Sequence, residues 1–119
     1  MRGLIEGLAD SKAASQAVAA PGSGATVVTL GVLTAGTYRV RVVAVNTGTA
    51  ETTAAGLFNM ILRKGTTTVM ALPTISTPVE QVVERVTVDG TQSINVSTSA
   101  AAIAGSMYIA SLSAVRVGD

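Results

Sequence analysis

Hydrophobic and polar positions alternate along most of the chain after residue 24, with the period of two that is typical of β-strands. The clearest example is Gly36–Asn46 (GTYRVRVVAVN). Four alternate positions, Tyr38, Val40, Val42 and Ala44, are apolar, whereas Arg39 and Arg41 stand among the intervening positions. Because successive side chains of a strand point to opposite faces, this pattern predicts a strand with one buried face and one partly polar face.

Six other segments show related patterns and are bounded by turn residues. The predicted strands are 25–33, 36–46, 57–63, 66–72, 80–88, 91–98 and 107–117. Lys64-Gly65 and Asp89-Gly90 predict hairpins, Gly31 predicts a bulge, and the prolines at 73 and 78 predict a loop between them. Seven or eight antiparallel strands without an internal helix predict an all-β sandwich of jelly-roll or immunoglobulin-like topology, and the jelly roll is favoured.

The N-terminal segment differs in composition and predicts a separate arm, residues 1–23, ahead of a sandwich domain at 24–119. Its alanines favour a helix, which Pro21-Gly22 would end, and an extended form is the alternative. The large apolar residues that would dock this arm on a partner are Met1, Leu4, Ile5 and Leu8. In the alternative interpretation the arm packs on its own sandwich or clasps a neighbouring subunit.

The amount of charge is low for a chain of this size. Hydrophobic residues make up 48% of the 119 residues and charged residues only 13%, about half the usual charged share. No apolar run approaches the roughly 20 residues that cross a bilayer, so we expect no membrane partner. Residues 107–117 are apolar on both faces, which predicts burial on both sides. We therefore expect a homo-oligomer, with a trimer favoured, and subunit contacts near this strand.

Several function classes are disfavoured by composition. The net charge is +1 with no basic run, so we expect no nucleic-acid partner. Histidine and cysteine are both absent, which removes the usual general base, the thiol nucleophile and the commonest metal ligands. Glu80 and Glu84 share a strand face, but roughly 13 Å separates their Cα atoms at about 3.3 Å per residue. We therefore predict no catalytic residue, cofactor or metal site, and no enzyme. Glu6, Asp10 and Lys12 interrupt any secretory leader.

Contact residues are the remaining candidates. Arg39 and Arg41 project from one side of their strand, where they either pair with acidic groups of an adjacent subunit or remain solvated. Asn95-Val96-Ser97 matches a glycosylation sequon in mid-strand and is interpreted as a chance match. The three aromatic residues form a small set for a sugar-stacking platform. The predicted interface residues are Met1, Leu4, Ile5, Leu8, Arg39, Arg41, Tyr108 and Leu112.

Four segments together resemble a known group of proteins. Residues 84–92 (ERVTVDGTQ) lead to Ile94-Asn95-Val96 and then to 107–117 (MYIASLSAVRV), with Gly36-Thr37-Tyr38-Arg39-Val40 upstream. Over about residues 25–117 this resembles the jelly-roll domains of bacteriophage virion proteins, both capsid decoration (cement) proteins and fibre domains. It is also similar to the trimeric sandwiches of C1q and TNF type.

The resemblance implies a structural protein. It would be a decoration subunit that is made in the host cytoplasm, binds the major capsid protein or another virion protein on the capsid surface, and stabilises the virion. The alternative is a recognition module, either a fibre tip or a carbohydrate-binding domain.

Overall fold

The computed structural model describes residues 11–49 and 58–118. Within these ranges the chain forms eight β-strands and no helix. The strands are β1 (Lys12–Ala19), β2 (Thr26–Val32), β3 (Gly36–Asn46), β4 (Met60–Lys64), β5 (Thr67–Leu72), β6 (Val79–Val88), β7 (Ser93–Thr98) and β8 (Met107–Gly118). They form two antiparallel sheets, sheet A in the order β1-β8-β3-β6 and sheet B in the order β2-β7-β4-β5. The predicted β-sandwich is confirmed.

The strands pair in a nested order. β1 pairs with β8, β2 with β7, β3 with β6 and β4 with β5, so the first strand meets the last and the middle two form a hairpin. Apart from that hairpin, every connection crosses from one sheet to the other. The connections near residues 33–35, 65–66 and 89–92 lie at one end of the sandwich, and residues 20–25, 73–78 and 99–106 lie at the other end.

The core lies between the two sheets and is formed by alternate positions of both. In β3 the side chains of Tyr38, Val40 and Val42 are fully buried, as the alternation predicts. Two tyrosines also carry a buried hydroxyl. The Tyr38 hydroxyl donates to the carbonyl oxygen of Thr34 at 2.8 Å, and Asn59 Nδ2 donates to the Tyr108 hydroxyl at 2.9 Å. These bonds matter because a buried polar group without a partner is destabilising.

The sandwich begins earlier than the sequence predicts, because Lys12–Ala19 is the edge strand of sheet A rather than part of a separate arm. All eight of its residues have partners in β8, from Lys12 opposite Ala114 to Ala19 opposite Met107. This segment therefore adopts the extended alternative. Alanine's helix preference is only a weak bias, and it is overridden by pairing with β8 and by packing of the Ala14 and Val18 side chains on the core. Residues 1–10, with the predicted contacts Met1, Leu4, Ile5 and Leu8, lie outside the described residues.

One of the two hairpin predictions is confirmed and the other is wrong. Lys64-Gly65 joins β4 to its neighbour β5. Asp89-Gly90 instead joins β6 in sheet A to β7 in sheet B, which are not hydrogen-bonded to each other. The turn signal is local: Asp89 Oδ1 accepts hydrogen bonds from Thr91 N and Thr91 Oγ1, and this geometry serves a crossover as well as a hairpin. The inward valines of β6 consequently face β7 across the core.

The predicted interruptions of the strands are confirmed. The register of β2 against β7 shifts between Thr29 and Val32, where Gly31 has a φ of +73°. Its amide donates to Thr29 Oγ1 at 2.9 Å, which stabilises the bulge. Residues 73–78 form a loop that carries the chain from β5 in sheet B to β6 in sheet A.

Candidate interaction surfaces

The outer face of sheet A is the first candidate surface, and we call it the sheet A face. Its members are the side chains that point away from the core according to strand register and burial. They are Ala13, Ser15, Ala17 and Ala19 of β1, Met107, Ile109, Ser111, Ser113, Val115 and Val117 of β8, Arg39, Arg41, Val43 and Val45 of β3, and Glu80, Val82, Glu84, Arg85 and Thr87 of β6. Most of these side chains are small or aliphatic.

Charge on the sheet A face is confined to one side. The arginines lie on β3 and β6 and the glutamates on β6, whereas the outward positions 13–19 of β1 and 107–117 of β8 carry only Ala, Ser, Met, Ile and Val. We call this β1–β8 side the uncharged half. An antiparallel sheet that faces water usually alternates apolar inward and polar outward residues. The only polar side chains of the uncharged half are Ser15, Ser111 and Ser113, which is less polar surface than solvent exposure favours.

Arg41 has an acidic partner within its own chain. Its Nε donates to Glu80 Oε2 at 2.8 Å, and Nη2 contacts the same oxygen. About half of each side chain is exposed, so the pair is weak. The sequence left two alternatives for Arg41, pairing with an adjacent subunit or full solvation. The ion pair with Glu80 of the same chain requires neither. Arg39 lies nearby beside Glu84.

Two shallow depressions of about 360 Å³ each indent the sheet A face on either side of Arg41 and Ser113. The first lies over β1 and β8, where Ser15 Oγ and Ser111 Oγ are 2.9 Å apart and share a hydrogen bond. The second lies over β3 and β6 and includes Val82 and Val115. Val82 is 44% exposed and Val115 40% exposed, which is high for aliphatic residues. These two depressions can accommodate the side chains of another protein.

Tyr108 and Leu112 were predicted as interface residues, but the structure places both in the core. They are 0% and 2% exposed, so neither reaches the surface of the chain. The outward neighbours Ile109 and Ser111 occupy the surface instead. The sequence did contain a signal for the outer face of this strand. Ser111 and Ser113 alternate with Ala110 and Ala114, and polar residues are expected on the outer face.

The outer face of sheet B is the second candidate surface and has different chemistry. A groove of about 260 Å³ crosses it, and we call it the polar groove. Its lining residues are Gly24, Thr26, Thr29, Arg63, Gly65, Thr66, Ser93, Asn95 and Ser97. Neither an aromatic nor an acidic side chain is among them. The sequence reasoning missed this groove, although the run of Ser, Thr and Asn at the outward positions of β2 and β7 was a visible signal.

A hydrogen-bonded ladder on β7 orders the floor of the polar groove. Ser97 Oγ donates to Asn95 Oδ1 at 2.7 Å, while Asn95 Nδ2 donates to Ser93 Oγ at 3.1 Å and to the Gly65 carbonyl at 3.2 Å. Asn95 is only 7% exposed. Its amide is therefore engaged and shielded.

Arg63 is the cation of the polar groove and uses little of its hydrogen-bonding capacity. Its Nη2 donates to the Thr66 carbonyl at 3.0 Å. Its Nε is shielded from solvent and has no acceptor among the described residues. A guanidinium has five N–H donors. On Arg63 one is bonded to Thr66 and the Nε hydrogen is shielded, so the remaining hydrogens on Nη1 and Nη2 are available to a ligand.

The described part of the chain offers little for metal or acid–base chemistry. No group of three or more Asp or Glu side chains in it could hold a metal ion. The carboxyl of Asp89 has a pKa below its ordinary value, chiefly because the Thr91 hydroxyl donates to it and also because the Thr91 amide does. Asp89 is exposed in a turn, and the hydrogen bonds from Thr91 that lower its pKa also stabilise that turn. The described ranges contain no helix that is long and apolar enough to cross a membrane.

Fold and surfaces together define an all-β sandwich with two chemically distinct outer faces. No protein-family model matches the chain. A search of curated proteins likewise finds no similar sequence. The two outer surfaces are therefore the features that bear on function.

Proposed function

We propose that the chain is a structural subunit that works by burying the sheet A face against other protein, as a virion decoration protein does on a capsid. The observation that carries this proposal is the uncharged half of that face. Contiguous exposed apolar surface is uncommon on monomers and marks sites of association. The small outward side chains of β1 also allow another backbone to approach closely.

The dimensions of the sheet A face fit a protein partner. Four strands at about 4.8 Å spacing and ten residues at about 3.3 Å give an area on the order of 600 Å². Each partner in a standard protein–protein interface buries about 800 Å². One such contact would cover most of the face. We propose that a second copy of the chain provides it and that the oligomer is a trimer.

The nested strand pairing supports a jelly-roll topology for the sandwich. Rolling up one long hairpin of eight strands produces the pairs β1–β8, β2–β7, β3–β6 and β4–β5, all of which are present. Jelly rolls are common in viral coat proteins. The virion role itself rests on the resemblance in sequence pattern, with the capsid surface as the proposed location and the major capsid protein or another virion protein as partner.

The proposed docking arm is now limited to residues 1–10, because Lys12–Ala19 belongs to the sandwich. Deleting residues 2–10 should leave the sandwich and its oligomer folded and should abolish attachment to the virion. Deleting residues 2–20 should instead lower the melting temperature, since it removes an edge strand. Truncated protein (2–10 deleted) that still saturates particles as full-length protein does would contradict the arm proposal.

Sedimentation of the full chain tests the assembly proposal. Wild type should sediment as an oligomer at micromolar concentration, and Ile109→Asp should yield a folded monomer because it places a charge in the uncharged half. Thr68→Asp is the matched control: the residue is exposed on sheet B, so its mass should not change. A monomeric wild type, or an Ile109→Asp variant of unchanged mass, would overturn the proposal. Electron microscopy of native particles tests the capsid location.

The polar groove favours the second candidate function, a fibre-tip or carbohydrate-recognition module. Its lining of hydroxyl, amide and guanidinium groups matches the hydrogen-bonding needs of a sugar better than those of an apolar partner. A glycan array with no binding by the oligomer would exclude this function and leave the structural one standing.

A further inference from the structure

We propose that the polar groove on sheet B binds a single carboxylated sugar, a hexuronic acid or a sialic acid. Arg63 would bind the carboxylate, and the surrounding serines and threonines would bind the ring hydroxyls. The inference rests on the recognition function and deepens it by naming the ligand class. It is independent of the sheet A face, because the groove lies on the opposite side of the sandwich.

The first step is the guanidinium of Arg63. Nη2 makes one hydrogen bond to Thr66 and keeps a second hydrogen, and Nη1 has no hydrogen-bond partner among the described residues. Contact with Thr66 restrains the fork, so a ligand would meet it partly ordered. A planar carboxylate accepts two parallel hydrogen bonds from such a fork. Because no acidic side chain is among the described residues that line the groove, the carboxylate meets no competitor from them.

The second step is the set of hydroxyls, which offers donors and acceptors in known directions. Ser97 Oγ gives its hydrogen to Asn95, so its lone pairs remain free to accept. Ser93 Oγ accepts from Asn95, and Thr29 Oγ1 accepts from the Gly31 amide, so both keep a hydrogen to donate. A sugar hydroxyl needs both roles, since it donates once and accepts through two lone pairs.

The third step is the size of the groove and the absence of an aromatic side chain from its lining. The groove holds about 260 Å³, just below the roughly 300–1,000 Å³ of pockets for drug-sized ligands, and this suits one sugar unit. Neutral sugars depend strongly on stacking against an aromatic ring, which the lining lacks. A charged hydrogen bond to Arg63 would have to supply the affinity. An acidic protein side chain would use the arginine but leave the hydroxyls around it without partners.

Titration of the full chain, followed by calorimetry or by NMR shifts, tests the proposal. The probes are galacturonic acid, N-acetylneuraminic acid, galactose as the neutral match and acetate as the charge alone. One or both acidic sugars should bind in about the millimolar range, and galactose and acetate at least about tenfold more weakly. Arg63→Gln should lower acidic-sugar affinity at least about tenfold. Arg39→Gln, which removes an arginine on sheet A, should leave it unchanged.

The other outcomes separate the possibilities. Acetate binding as tightly as galacturonic acid would overturn the sugar assignment and indicate an acidic side chain of a partner protein. Galactose binding as tightly as galacturonic acid would overturn the role of Arg63 and leave the recognition function intact. No binding by any sugar would overturn both.

If Arg63→Gln fails to fold, a double variant provides the test. Thr29→Ala with Ser93→Ala should weaken galacturonic acid binding and leave acetate binding unchanged. Unchanged sugar binding in that variant would contradict the proposal.

Discussion

The outer faces of the two sheets have the same architecture and opposite chemistry. Both belong to four-stranded antiparallel sheets that cover one core. Sheet A presents Ala, Met, Ile, Val and three serines over β1 and β8 and keeps its charges on β3 and β6, whereas the groove-lining positions of β2 and β7 carry Ser, Thr and Asn. The fold constrains only inward positions, so outward ones are free to reflect function. This difference suggests protein contact on one side and small polar ligands on the other.

The inner faces show the opposite behaviour, since the two sheets contribute the same kind of residue. Val40 and Leu112 of sheet A meet residues such as Leu62 and Val96 of sheet B in one aliphatic core. Any sandwich of this size requires such a core. Substitutions at inward positions should therefore change stability more than substitutions at outward positions do. The difference between the two outer faces should be smaller.

The largest expected effect comes from a charge at an inward position of β8. Leu112→Asp should destabilise the fold by more than about 3 kcal/mol, because it removes buried methyl groups and buries an unpaired carboxylate. Urea denaturation measures this loss. Ile109→Asp, three residues away and outward, should keep the fold and lose only the oligomer. Equal stability of the two variants would show that the inward and outward assignment of β8 is incorrect.

The sequence predicts the strands well because alternation is local. The inward set around Tyr38, the hairpin at Lys64-Gly65 and the bulge at Gly31 each depend on residues close together in the chain. Pairing between distant strands carries no such local signal. Asp89-Gly90 therefore predicted a hairpin where the chain crosses between sheets, and alanine-rich Lys12–Ala19 left helix and strand open.

The candidate surfaces were harder to predict than the strands. The polar groove combines Thr26 and Thr29 of β2 with Arg63 of β4 and Ser93 of β7, so it exists only after the sheet order is known. In β8 both faces carry apolar residues, and alternation alone does not show which face lies inside. This explains why Tyr108 was assigned to an interface, although it is fully buried.

The second effect concerns the polar ladder on sheet B. Asn95→Ala should destabilise the chain by about 1–3 kcal/mol, because it leaves Ser97 and the Gly65 carbonyl without their partner in a shielded site. Thermal or urea denaturation gives the value. Ser15→Ala is the matched change on sheet A, where the bond to Ser111 is exposed, and it should stay within about 0.5 kcal/mol. Equal losses would contradict the contrast between the two faces.

A third and smaller effect concerns the ion pair on the charged side of the sheet A face. Arg41→Gln and Glu80→Gln, combined in a double-mutant cycle, should give a coupling free energy of about 0.2–1 kcal/mol, since both side chains are about half exposed. The coupling should fall as salt is raised. A coupling well above this range at high salt would indicate that a neighbouring subunit covers the pair.

The smallest effect concerns the turn where the chain passes from sheet A to sheet B. Hydrogen bonds from Thr91 hold the pKa of Asp89 below its ordinary value of 3.8. A carboxyl with a lowered folded-state pKa contributes stability above its unfolded-state pKa, and that contribution is lost as pH falls through the folded-state pKa. Thr91→Ala should thus be slightly less stable than wild type at neutral pH, with the difference shrinking as pH falls below 3.8. Thr91→Ser keeps the hydroxyl and should follow wild type in urea denaturation at each pH. Because this turn belongs to neither outer face, sedimentation should show the same oligomer for all three proteins, and a change in mass would mean that the turn contributes to the subunit contact.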